Sequence, residues 1–179
     1  MNDLPAVVAG EALTLYRSLG GLQAQPDLRP GAWDLVFDSP LLVELDEELH
    51  FNRYRAATLA ASWEQQLPWT ASYRDHCADH EDDCLTAGSW GKRWTNDSAG
   101  RMFSGGPVGD LDGDGAPRWK QRALYDAIKD TMSGSAGGAR LVRVAIYDLV
   151  GGVVVGAMLD GVAPIDVPGL RTLVEARAA

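Results

Sequence analysis

Residues 32–47, AWDLVFDSPLLVELDE, hold two short apolar runs on either side of Ser39-Pro40. Such runs flanking a Ser-Pro step read as two β-strands joined by a turn. Side chains alternate across a strand with a period of two. Asp34, Val36 and Asp38 therefore share one face of the first strand, with Trp33, Leu35 and Phe37 opposite. In the second strand Leu42, Glu44 and Asp46 share a face, with Leu41, Val43 and Leu45 opposite. An odd-length turn, such as Ser39-Pro40-Leu41, puts Asp34 or Asp38 on the same face as Glu44 and Asp46, whereas a two-residue turn separates them. Carboxylates crowded on one face of an apolar hairpin repel one another and desolvate poorly, so they call for a cation. Oxygen ligands alone select a hard ion, Mg²⁺ or Mn²⁺.

Outward from the hairpin, residues 6–19 carry Val7, Val8, Leu15, Tyr16 and Leu19 at helical spacing, with Gly20-Gly21 as a stop. HFNRYRAATLAASW, from His50, returns to helical character. Residues 64–117 hold three Trp, His76, Cys77, His80, Cys84 and a Gly/Asp-rich run with little periodicity, and read as an irregular insertion. WKQRALYDAIKDTM predicts a helix and SGSAGG a loop. RLVRVAIYDLV and VVVGAML flank Gly151-Gly152 as a hairpin, and Asp166 with Pro168 starts a last helix through Arg177. The mixture predicts one α/β domain over residues 1–179, a central mixed sheet flanked by helices, with the insertion at about 64–117.

Sixteen Lys and Arg against 25 Asp and Glu leave a net charge of −9 over 179 residues. That balance argues against a sequence-independent nucleic-acid coat protein but leaves room for a local basic groove. Seven of the 16 basic residues cluster in HFNRYR, WGKRW and RWKQR, the last two interleaved with Trp90, Trp94 and Trp119. Cations among aromatics suit contact with a nucleic acid, though guanidinium stems also stack on aromatics inside folds. Two cysteines exclude a disulfide framework, and no basic start precedes a long apolar run. The expectation is a cytoplasmic protein with no membrane partner.

The stretch DLVFDSPLLVELDEELHFNRYR resembles the active-site core of the PD-(D/E)XK, or restriction-endonuclease-like, nuclease superfamily, in its very-short-patch-repair-like and related flavour. The likeness covers residues 5–60. An Asp begins one strand there, an acidic residue follows in the next as E-x-K or E-x-D, and a helix comes after. The resemblance implies Asp34 or Asp38, Glu44 and Asp46 as metal ligands and catalytic carboxylates, and a restriction-endonuclease-like fold. It also implies Mg²⁺- or Mn²⁺-dependent hydrolysis of phosphodiester bonds, with DNA as the partner. The superfamily's lysine is missing after Glu44, where Asp46 stands.

Only Lys92, Lys120 and Lys129 could replace it. At about 100° per residue Lys120 falls between Ala127 and Leu124 on the apolar arc of its helix, whereas Lys129 faces away. Lys120 is therefore the candidate migrated lysine, set against a first-turn lysine reaching solvent. Arg55 falls on the inner face of the preceding helix, to meet a phosphate or, in a structural role, a buried carboxylate. Arg53, Arg118 and Arg122 complete the candidate nucleic-acid contacts, and His50 at its helix start could position water or act as a cap.

In HCADHEDDC a continuous helix would place Cys77, His80 and Cys84 on one face as three ligands for Zn²⁺; the other reading is free thiols. Ca²⁺ is not expected at GDLDGDGAPRWKQ, because Gln121 stands where an EF-hand-like loop needs its bidentate Glu. The function expected is a metal-dependent nuclease. Its rival is a catalytically inactive nuclease-like fold that binds a protein or nucleic acid, favoured by the negative charge and the missing lysine, and marked by Glu44 pairing directly with Arg55.

Overall fold

The computed structural model describes residues 6–38, 41–131, 133 and 140–178. Helix α1 (Ala6–Ser18) buries Ala12 and Tyr16. Strands β1 (Leu35–Phe37) and β2 (Leu41–Asp46) form the expected hairpin, antiparallel with Leu35 opposite Val43 and Phe37 opposite Leu41. Three residues thus separate the strands, an odd number, and Ser39 and Pro40 among them lie outside the described residues. Helices α2 (Arg53–Thr58), α3 (Thr70–Asp79), α4 (Glu81–Gly88), α5 (Asp97–Met102) and α6 (Pro117–Asp130) follow. The chain then enters β3 (Arg140–Ala145), parallel to β2, so the sheet is mixed with the order β1-β2-β3. SGSAGG lies almost wholly outside the described residues.

Both faces of the β2–β3 pair are covered, as a parallel pair demands, whereas β1 is exposed. On one face Val43, Val142 and Val144 pack against helices α7 (Val155–Leu159) and α8 (Val167–Arg177) through Met158, Leu170, Leu173 and Val174. Each fully buried Val or Leu there contributes roughly 1.5–3 kcal/mol. The other face carries Leu42, Glu44 and Asp46 beside Leu141, Arg143 and Ala145, with Glu44 level with Arg143. Phe51, Leu59, Trp69 and Tyr73 cover its apolar end.

Residues 64–117 differ from the expectation of an irregular insertion. Three helices and two 3₁₀ turns run through them, and Trp69, Tyr73, Cys77, Cys84 and Trp94 are core residues. Helix α4 passes so close to α6 that a Cβ on Gly88 would lie 2.2 Å from the Trp119 ring. The long hairpin expected around Gly151-Gly152 is also cut short. Its turn is present, with φ of 59° and 82° at the two glycines, and joins β4 (Leu149–Val150) to β5 (Val153–Val154). The preceding strand stops at Ala145 because Asp148 Oδ2 accepts from the Ala145 amide at 2.7 Å, a local bond that competes with a sheet ladder. Helix α8 begins as expected, with Asp166 accepting from Gly169 N at 3.0 Å. Among the described residues no helix is long and apolar enough to cross a membrane.

Candidate active site

Helix α6 crosses the charged face of the sheet. Arg118, Arg122, Asp126 and Lys129 recur every three or four residues along it and line one wall of a cleft of about 280 Å³. Asp34, Glu44 and Glu47 line the other, with His50 from the 3₁₀ turn Glu48–His50.

Asp34 precedes β1, and the hairpin register carries it level with Glu44. The Asp34 amide donates to Glu44 Oε1 at 3.3 Å, and the Leu45 amide donates to Asp34 Oδ2 at 2.9 Å. Glu44 Oε2 accepts from Lys129 Nζ at 2.5 Å, and the Trp33 ring lies 5.4 Å from the same ammonium. Burial raises the Glu44 carboxyl above its ordinary pKa, and Lys129 and Arg143 offset only part of that.

Beneath the cleft lies a buried ionic network. Arg143 Nη1 donates to both oxygens of Asp46 at 2.9 Å, its Nε donates to Asp130 Oδ1 at 2.5 Å, and its Nη2 to the Asp126 carbonyl at 3.2 Å. Tyr73 Oη donates to Asp46 Oδ2 at 2.7 Å. Arg55 donates to Asp130 Oδ2 at 2.6 Å and to Glu64 Oε1 at 3.1 Å. Asp130 also has Arg143, whereas Glu64 has only a share of Arg55, so burial drives the Glu64 carboxyl well above its ordinary pKa. His50 Nδ1 lies 2.8 Å from Asp126 Oδ2 and 3.0 Å from Asp46 Oδ1. Burial opposes charging of the ring, but the two carboxylates outweigh it and raise its pKa. Burial likewise opposes the charge on Asp126, yet His50 and Arg143 hold that carboxyl well below its ordinary range.

The sequence-derived residues divide sharply. Asp34 and Glu44 meet at the cleft, and Arg118 and Arg122 line it. Asp38 is exposed beyond the far end of β1, clear of the cleft lining. Asp46 shares a strand face with Glu44, but Asp34, Glu44 and Asp46 do not close into a group near enough to share one ion, and Asp46 is bound below by Arg143. Among the described residues, the acidic and histidine side chains close enough to share one ion are instead Asp46, His50 and Asp126, where Arg143 and His50 already balance the charge.

Lys120 is buried as its helical position demands, but its ammonium lies 5.5 Å from the Tyr54 ring and, among the described residues, pairs with no carboxylate. Lys129 takes the place proposed for it, because α6 is buried on two sides and its second buried side faces β2. Arg53 spends its fork on Glu81 at 2.7–2.8 Å, and Arg55 spends its own on Asp130 and Glu64, the structural role. Glu44 therefore does not pair with Arg55. Cys77, His80 and Cys84 do not close into a ligand set. The helix breaks at His80, which stacks on Tyr147 at 3.5 Å between ring centroids. The thiols are buried and free, pushed by burial up to about 11 and about 12. GDLDGDG forms a turn in which the Asp112 amide donates to Asp110 Oδ1 at 2.9 Å. The sequence reading sets Lys129 aside as facing away and does not single out Asp126 or Arg143. Their signal is a polar stripe on α6 and a lone Arg inside the apolar run LVRVA.

No curated protein and no solved structure matches the chain. A family match extends over residues 14–161, from within α1 through α7 and most of the cleft's scaffold, and on that span the chain belongs to DUF7255, a family of unknown function.

Proposed function

We propose that the cleft between β2 and α6 hydrolyses phosphodiester bonds with a divalent metal ion, in a restriction-endonuclease-like arrangement whose lysine has moved to Lys129. The observation that carries this reading is the contact of Lys129 with Glu44 at 2.5 Å, with Asp34 bonded beside it. Mg²⁺ is commonly held by one or two carboxylates together with substrate phosphate and water. Asp34 and Glu44 fit that pattern, because Asp34 is exposed at the cleft mouth and Glu44 is a buried carboxylate seeking positive charge. The ion, when bound, supplies Lewis-acid stabilisation of the phosphate and activation of water.

The chain's own residues do the rest. Glu44 and Asp34 hold the ion and orient Lys129. The Lys129 ammonium positions the attacking water and stabilises negative charge as it grows on the phosphate. Arg118 and Arg122 hold the strand by its backbone, and Asp46 serves the scaffold through Arg143. Purified protein with Mg²⁺ or Mn²⁺ should nick or degrade plasmid, linear duplex or single-stranded DNA. Glu44→Gln and Lys129→Met should each lower kcat at least about 10²-fold, while Lys120→Met, away from the cleft, leaves it unchanged. If no DNA form is cleaved with either metal, the rival stands: a nuclease-like fold that only binds.

A further inference from the structure

Arg118 and Arg122 stand one helical turn apart at one end of the cleft, with little to neutralise them. Arg118 donates from Nη1 to the neutral Gln121 Oε1 at 2.6 Å. Burial and the adjacent Arg122 push its pKa below the ordinary arginine value. Arg122 makes no hydrogen bond among the described residues, and its Nη1 is buried without an acceptor. The carboxylate nearest that nitrogen, Glu47 Oε2, is 3.9 Å away on a mostly exposed side chain. Arg55 Nε is likewise without an acceptor but lies in the interior, whereas Arg122 is partly exposed and lines the cleft, so its guanidinium is left facing whatever enters there. Arg53 and Arg177, by contrast, each hold a carboxylate in a fork, and Arg143 donates to both Asp46 and Asp130.

We propose that Arg118 and Arg122 form an anion subsite that binds a phosphoryl group, separate from the place where Glu44 and Lys129 act. Two guanidinium forks side by side match the several oxygens of a phosphate better than a single ammonium does. Lys129 lies seven residues beyond Arg122, about 10 Å along the helix axis, and its ammonium is drawn toward β2. The phosphate held by the arginines is thus not the one set against Glu44. A strand whose scissile phosphate meets Lys129 presents a neighbouring phosphate to Arg118 and Arg122. The strand as ligand rests on the nuclease reading, whereas the anion subsite itself does not.

Calorimetric titration with inorganic phosphate, at constant ionic strength and without divalent metal, tests the subsite. Wild type should bind, Arg122→Met should weaken binding at least about tenfold, and Lys120→Met, which removes a cation outside the cleft lining, should change it less than about twofold. Arg122 holds no fold contact by hydrogen bond, so its variant should keep the wild-type urea midpoint; Arg118→Met provides a second variant. No binding by the wild type, or equal binding by Arg122→Met, overturns the proposal. Tetrathymidylate should bind at least about tenfold tighter than free phosphate and lose that advantage in Arg122→Met. Free phosphate binding as tightly as the oligonucleotide overturns the strand assignment. Phosphate binding through Arg122 without cleavage of any DNA keeps the subsite and refutes the nuclease reading. Cleavage with phosphate binding indifferent to Arg122 does the reverse.

Discussion

The two faces of one three-stranded sheet are held by different physics. Val43, Val142 and Val144 meet α7 and α8 through side chains that need only shape and apolarity. One residue along each strand, Glu44 and Arg143 meet α6, and Asp46 braces Arg143, through buried charges that need partners at fixed angles. Apolar packing tolerates volume-conserving exchange at under about 1.5 kcal/mol, whereas removal of one member of a buried ion pair strands the others at about 3–5 kcal/mol. The charged face thus trades tolerance for the placement of Lys129 and the cleft.

Arg143→Met should be the sharpest break of this contrast. It leaves Asp46, Asp126 and Asp130 with one guanidinium and one imidazole among them, and urea unfolding should show a loss of about 3–5 kcal/mol. His50→Gln should cost about 1.5–3 kcal/mol, the range for a hydrogen bond to a charged group, and should change the pH profile. The His50 pKa is raised in the fold, so its contribution is full below the unfolded imidazole pKa and lost as pH rises through the folded one. The Asp126 pKa is lowered, so its contribution is full above the unfolded carboxyl pKa and lost as pH falls through the folded one. Urea midpoints measured across pH should therefore decline on both sides of a plateau in the wild type, and the alkaline decline should shrink in His50→Gln.

On the apolar face Val142→Ala should cost about 2 kcal/mol, because Val142 is fully buried, and should leave the pH profile unchanged. Arg53→Ala, outside both faces, breaks an ion pair half open to solvent and should cost under about 1 kcal/mol, diminishing as salt rises.

Of the sheet, the hairpin is the part most legible in the sequence. Period-two alternation in LVFDSPLLVELD places the hairpin and the parity that joins Asp34 to Glu44, because strand geometry is local. The lysine was misread because one apolar arc on α6 implies one buried side, yet this helix is wedged between α2 and the sheet and buries nearly all round. That Asp46 serves as a scaffold anchor depends on Arg143, which is 97 residues away and enters only when β3 pairs with β2. The helices in residues 64–117 are short and punctuated, with Asn96 capping α5 and His80 separating α3 from α4. Windows long enough to reveal a 3.6-residue period do not fit inside them.

The parallel pairing of β2 with β3 also sets the order in which the protein can come into being. As the chain emerges during synthesis, β1 and β2 can zip together early, but Leu41 must wait for Arg140. Until then Glu44 and Asp46 are two carboxylates on the bare edge of a ribbon, solvated and without a cleft. Closing so distant a contact costs chain entropy before any apolar face rewards it, which places refolding toward the millisecond-to-second end of the range for small domains. The Glu44 carboxylate, the lysine that faces it and the arginine beneath them thus come together in one late step.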